Sequence, residues 1–412
     1  MTQRIDADIL IPGRGAPVGE ATVVLDDGVV TYAGPRGDAP ETPGAETTTA
    51  AAVMPGMWDC HGHFLGLRNA DIAAIAREPI GVRAARAARD AEHALLAGFT
   101  SVREAGGLGV DLARVIDEGT IPGPTIYAPG AILSTTGGHG DLHDLPLDWV
   151  HDFGRRDGTL RLADGVDECV KAVREQLRRN AKVIKICASG GVLSEVDDPV
   201  HQQFTDQELR AMVEVAGMAD RVVMAHCHGK PGIMAAIEAG CRSIEHGTFL
   251  DEEACDAMVE TGTVLVPTRF IIHVLMAVGR DQGVPPSQMR KLEATAEAHA
   301  SAVSMAHERG VTIALGTDIF MSGPALPVGW GRNGRELELL VDLGLTPLEA
   351  IETATANAPL TVGAQAPHVG VLEAGAVADV LTVAGDPLRD ITLLGDPENV
   401  TGVWKAGVPV KG

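Results

Sequence analysis

From about residue 55 to 358 the chain repeats one unit, a short run of Val, Ile, Leu or Ala followed by a longer amphipathic stretch. Short apolar runs fit buried strands, and their alternation with helical patterns marks βα units, whose strands pair in parallel. Eight runs qualify: Val53–Trp58, Thr100–Arg103, Thr125–Ala131, Val183–Cys187, Val222–His226, Arg242–Glu245, Thr263–Pro267 and Thr312–Gly316. Eight parallel strands with returning helices predict an α/β fold of the (β/α)8 TIM-barrel type, which takes ~250 residues and carries its chemistry at the strand C-termini. Helix starts fix where several strands stop. Thr205-Asp-Gln-Glu208 and Thr346-Pro-Leu-Glu349 read as capping boxes, the second with Pro347 at the first helical position.

The ends of the chain follow another rule. Ala7–Ile11, Ala21–Leu25 and Val29–Ala33, then Ala378–Val383 and Val400–Val410, are short strands between Gly, Pro and Asp turns. Neither end is long enough for a core of its own, so the two are expected to build one composite β-sandwich. The predicted organisation is residues 1–54 as the first part of the sandwich, 55–358 as the barrel and 359–412 as the second part.

A formal net charge of −23 repels phosphate backbones and anionic lipid, so neither nucleic acid nor membrane is expected as a partner. No run approaches ~18 apolar residues and the first residues lack the apolar stretch of a secretory signal, which predicts a cytoplasmic protein. Six scattered cysteines without a CxxC pair predict reduced, buried thiols.

Polar residues interrupt this pattern where the strands end. His61 and His63, two apart in an extended segment, project to one side and can converge on a cation. An HxH pair alone is a weak signal. His226, His246 and Asp318 add ligand types at the ends of later strands, in the right order. Lys185 stands inside the apolar run Val183-Ile-Lys-Ile-Cys187, where a bare ammonium is costly to desolvate, so it calls for a partner or a modification. Neither GxSxG nor GxxxxGK[ST] occurs to suggest a serine hydrolase or a phosphate loop.

Together these stretches resemble the amidohydrolase superfamily, in its imidazolonepropionase- and prolidase-like branch. The matching segments are Pro55–His63, Thr100–Gly107, Leu133–Asp141, Ile184–Val192, Ala225–Gly229, Ser243–Gly247 and Gly316–Asp318, with Gly375–Asp379 and Val403–Lys405 in the terminal module. The resemblance implies that His61, His63 and Asp318 hold the more buried of two metal ions. It implies that His226 and His246 hold the other and that Lys185 bridges both as a carbamate formed with carbon dioxide. Nitrogen and oxygen ligands without thiolate suit zinc. Two such ions would activate a bridging water and polarise a carbonyl, with Asp318 as general base and then acid. Cys60, Cys187 and Cys227 abut the ligands, but alternation is expected to turn them away as packing.

The resemblance further implies that His139 and His228, on barrel-top loops, meet the substrate and take part in catalysis. Arg103 at the second strand end and Arg332 in Trp330-Gly-Arg-Asn333 read as carboxylate clamps, with Trp330 and Asn333 beside the substrate. Relatives often carry His at the position of Trp330, so recognition there is expected to differ. The expected reaction is hydrolysis of an amide, peptide or carbamate bond in a small molecule, such as an N-acyl amino acid or dipeptide, by a homo-oligomer. The alternative is cyclic-amide opening of the imidazolonepropionase kind. A non-catalytic structural relative would have lost ligands, and none is missing; deamination is disfavoured by Lys185. Specificity is assigned to loops 134–164, 188–204 and 269–285.

Overall fold

The computed structural model describes residues 2–412. Two sheets of parallel strands occupy the middle of the chain. One has the order Ile319–Met321, Met57–Leu67, Phe99–Glu104 and Thr125–Tyr127. The other runs Val264–Val266, Ser243–His246, Val222–Cys227, Val183–Cys187, Ile132–Ser134 and Leu160–Leu162. These strands are buried along nearly their whole length, as strands covered by helices must be.

Backbone hydrogen bonds join the two sheets on both flanks. On one, the Lys182 amide donates to the Ala128 carbonyl at 2.9 Å. On the other, residues 312–315 lie between two strands: Ala314 N donates to Leu265 O at 2.9 Å and Cys60 N to Leu315 O at 2.8 Å. The predicted strand Thr312–Gly316 is therefore extended and bonded on both sides, yet its ladder is one isolated bridge, Leu265 to Ile313.

Val53–Trp58, read as one strand, is two. Glu46–Pro55 pairs with Gln3–Leu10 and Val380–Val383, whereas Met57–Leu67 pairs with Phe99–Glu104. The break falls at Gly56, where a Cβ would stand 2.2 Å from the Thr100 hydroxyl oxygen, so only glycine lets the chain cross from one sheet to the other. Thr125–Ala131 is likewise shorter, ending at Tyr127.

The two ends of the chain share a seven-stranded sheet in the order Val408–Lys411, Val400–Lys405, Val380–Val383, Glu46–Pro55, Gln3–Leu10, Val18–Asp26 and Val29–Pro35. Its Val29–Pro35 edge folds back on the segment before Val380–Val383, since Val29 bridges to Val377 and Ala378 N donates to Gly28 O at 2.9 Å. Ile5, Leu25, Val30, Val53, Val380 and Trp404 fill one buried cluster drawn from both ends.

Both predicted capping boxes form, at Thr205 with Glu208 and Thr346 with Glu349. The six cysteines are free and buried. Residues 269–278, assigned to a loop, are a helix. No helix among the described residues is long and apolar enough to cross a membrane.

Candidate metal centre

Parallel pairing sets the C-terminal ends of neighbouring strands at one rim, and there the predicted ligands meet. His61, His63, Lys185, His226, His246 and Asp318 all line one cavity, with His139 and His228 beside them. Three residues here adopt positive φ without being glycine: His246 at 70°, Thr268 at 56° and Asp318 at 58°. Such backbone costs on the order of 1–3 kcal/mol each and persists only where surrounding bonds fix it. At this rim they do. Asp318 N donates to His61 O at 2.6 Å, and the Thr268 hydroxyl lies 2.7 Å from His246 Nδ1.

The ligand atoms fall into two groups, each within 4.8 Å: His61, His63 and Asp318, and His226, His228 and His246. Asp318 Oδ1 lies 3.1 Å from His63 Nε2 and 3.5 Å from His61 Nε2. Lys185 Nζ stands 3.5 Å from His61 Nε2.

The second nitrogen of each ring is already engaged. His61 Nδ1 meets Glu245 Oε2 at 2.7 Å, His63 Nδ1 donates to the Gly106 carbonyl at 2.7 Å, and His226 Nε2 donates to the Gly190 carbonyl at 3.2 Å. His228 Nδ1 faces the Thr248 hydroxyl at 2.7 Å, as His246 Nδ1 faces that of Thr268. A carbonyl can only accept, so His63 carries a proton on Nδ1 and His226 one on Nε2, and in neutral His226 the other ring nitrogen is left as a bare lone pair.

Burial drives the imidazoles to their neutral form: His61 falls to about 4, and His226, His228 and His246 fall well below the usual histidine value. Burial also lowers Lys185. For Asp318 burial acts upward, but the neighbouring His63, His61 and Lys185 more than offset it, and its carboxyl sits below the usual range. Convergent neutral nitrogens beside a carboxylate, each ring oriented from behind, fit divalent metal ions.

Four residues expected at the substrate are elsewhere. Arg103 is fully buried beneath the candidate ligands, donating to Cys60 O, Ser243 Oγ and both oxygens of Glu245, each at 2.7 Å. These bonds, with a fifth to Thr361 O at 3.4 Å, leave it no reach to a substrate; against the upward push of burial, Arg103 and then His61 hold the Glu245 carboxyl down at about 2. Trp330 is buried flat against Phe64, 4.0 Å between ring centres, with Nε1 on His63 O. Asn333 donates to buried Asp59 at 2.6 Å. Arg332 turns to the Pro324 carbonyl at 3.0 Å.

His139 and His228 do line the cavity. The His139 ring stacks on His226, 4.1 Å between centres, with Nδ1 3.0 Å from Ser194 Oγ. Burial lowers it to about 4. Cys187, expected to point away, is also on the cavity wall, because a residue two from Lys185 shares its side of the strand. Cys60 and Cys227 do point away, to Ala358 O and Gly232 O.

Above the ligands the walls are apolar. Val192, Leu193, Ile271, Ile272, Leu275 and Leu292 form one side. A lobe past His63 and His139 is lined by Leu65, Ile72, Ile75, Leu142, Leu160 and Phe320.

A sequence model of the amidohydrolase family matches residues 52–410. Ochratoxinase of Aspergillus niger is 44% identical over 99% of this chain and 86% of its own length, and imidazolonepropionase of Nocardia farcinica is 26% identical over 94% and 91%. The crystal structure of the A. niger ochratoxinase superposes with a TM-score of 0.92 at 42% identity, covering all of this chain and 96% of that one. A prolidase crystallised with N-methylphosphonate-L-proline gives 0.91 at 32% identity, covering both chains fully. Since these likenesses run through the ligand-bearing strands and the terminal sheet alike, the chain belongs to the amidohydrolase family.

Proposed function

We propose that the chain is a (β/α)8-barrel hydrolase with a composite β-sandwich, cleaving an amide bond with two divalent metal ions, zinc by its donor set. The observation carrying this reading is the pair of ligand groups at one rim, each imidazole held from behind. Bound ions would supply an acidified water and a polarised carbonyl. His61, His63 and Asp318 would hold one ion and His226 and His246 the other. Lys185, driven by burial toward the neutral amine that reacts with carbon dioxide, would bridge them as a carbamate. Asp318 would take a proton and return it to the leaving nitrogen.

The walls favour a substrate with apolar groups on both sides of the scissile bond, such as an N-acyl derivative of an apolar amino acid or a dipeptide. The relatives named ochratoxinase and prolidase agree with amide and dipeptide chemistry. With Arg103 and Arg332 turned elsewhere, His139 and His228 are the groups left to meet a carbonyl or carboxylate.

The test is to assay metal-reconstituted protein against N-acyl amino acids, dipeptides and cyclic amides, with elemental analysis alongside. Two ions per chain, loss of activity to chelators and preference for apolar N-acyl amino acids are expected. Full activity with one ion or none would overturn the binuclear reading, and Lys185→Ala with wild-type metal content would remove the bridge.

A further inference from the structure

Residues 188–203, which follow the Lys185 strand, form neither helix nor strand; one bridge, Ser189 to Gln202, closes them. Yet this segment supplies Val192 and Leu193 to the cavity and Ser194 to His139. Its backbone presses against that ring: a Cβ on Gly191 would stand 1.9 Å from His139 Nδ1. Such a segment needs something outside itself to keep one shape.

Lys291, on the helix Pro286–Glu308, supplies it. Its ammonium donates to Gly191 O at 3.2 Å, to Ser194 O at 2.9 Å and to Asp197 O, with the Asp197 carboxylate at 3.8 Å. Three carbonyls turned toward one point suit a compact ammonium with three donors, and without it they would face one another unsatisfied. Asp197 Oδ2 accepts from Gly191 N at 2.7 Å and from Gln203 Nε2 at 3.3 Å, while Gln203 Oε1 accepts from His139 N at 3.1 Å. Ser194 Oγ donates to Gly191 O at 3.2 Å, so toward His139 it acts as acceptor. His139 then carries its proton on Nδ1, and Nε2 is the free lone pair.

We propose that Lys291 is a positioning residue: its ammonium clasps residues 191–197 so that Ser194 and Gln203 hold His139 in one orientation and one tautomer for the substrate. The effect on turnover rests on the amidase reading above; the effect on the His139 ring does not.

The experiment is a double-mutant cycle of Lys291→Met and His139→Ala, with metal content measured on every variant and histidine ring nitrogens followed by 15N NMR. Alone, Lys291→Met should keep wild-type metal content and lower kcat/KM by roughly tenfold to a hundredfold, the scale of a small misplacement of a reacting group. In the His139→Ala background it should cost nothing further. Wild-type His139 should give the Nδ1–H pattern, lost in Lys291→Met, and protease should then cut within 189–203. Equal losses in both backgrounds, or an unchanged His139 spectrum, would overturn the proposal. If no amide is a substrate, the functional reading fails but the spectrum still decides for or against the clasp. Were Lys291→Met not to fold, Lys291→Gln gives the same comparison, and a wild-type His139 protonated on Nε2 would by itself refute the tautomer.

Discussion

The two ligand groups of the cavity are built from the same ring but backed differently. His61 rests on the carboxylate of Glu245, itself held by Arg103, and shares its group with Asp318. His226, His228 and His246 form a group without a carboxylate, backed by a carbonyl and two threonine hydroxyls. An anionic neighbour raises the basicity of a ligating imidazole, and a charged ligand attracts a cation more strongly than a neutral one. The first group should therefore hold its ion more tightly, and the second should be the site whose ion is exchanged, shared through the bridge, or lost first on chelation.

The largest effect should come from making the two groups alike in charge. Asp318→Asn keeps an oxygen that can coordinate but cannot take a proton. Turnover should fall by about 10²–10⁴-fold, the usual value of positioned acid–base assistance. The first-group ion should weaken but largely stay. A fully metallated Asp318→Asn enzyme with more than about a tenth of wild-type turnover would fall outside that range and leave His139 or His228 as the base.

A smaller effect separates the roles within the second group. His228 approaches the common point of His226 and His246 closely enough to be a third ligand, whereas the sequence reading makes it a substrate contact. His228→Ala should leave two ions per chain and lower kcat/KM, by roughly tenfold to a hundredfold if it removes a single transition-state bond. Elemental analysis decides the matter: one ion missing in the variant would move His228 into the metal site.

That the candidate ligands would meet at one rim was readable because each occupies a strand end, where period-2 alternation and strand order together fix the direction of a side chain. Alternation was misapplied only at Cys187, which shares its parity with Lys185. The residues behind the ligands were not readable. Arg103 at a strand end looks like a clamp; that it turns inward follows from its meeting Glu245 and Ser243, contacts made 140 or more residues along the chain. A buried acid at Glu245, one residue from a ligand, was the available signal that some cation had to be buried with it. Trp330 and Asn333 failed for a related reason, since a loop leaves the side on which its residues pack undetermined. Ser194 and Lys291 lie in or against a segment with no period at all. The terminal sheet was legible as strands, but the crossing at Gly56 depends on its contact with Thr100, which no local pattern carries.

The last effect falls on stability and leaves turnover alone; it concerns what lies beyond Asp318. Past the strand Ile319–Met321, the Ser322 hydroxyl donates to Asp90, a buried carboxyl on the helix Ile80–Leu96, and burial raises that acid to about 7 from 3.8. The first ligand group thus has a titratable anchor next to its chain, while the hydroxyls behind the second group do not titrate. Between about pH 4 and 7 folded Asp90 keeps a proton that the unfolded chain has lost. Its contribution to stability is complete below pH 4 and declines as pH rises to 7, by at most about 1.4 kcal/mol per unit. Asp90→Asn is neutral at every pH, so it should flatten the stability profile over that window while other buried acids keep theirs. Denaturant midpoints from pH 5 to 8 give the comparison. A variant profile parallel to that of the wild type would mean that Asp90 is ionised in the fold and that Ser322 is held by a charged acid, which would remove the contrast between the two groups on this side.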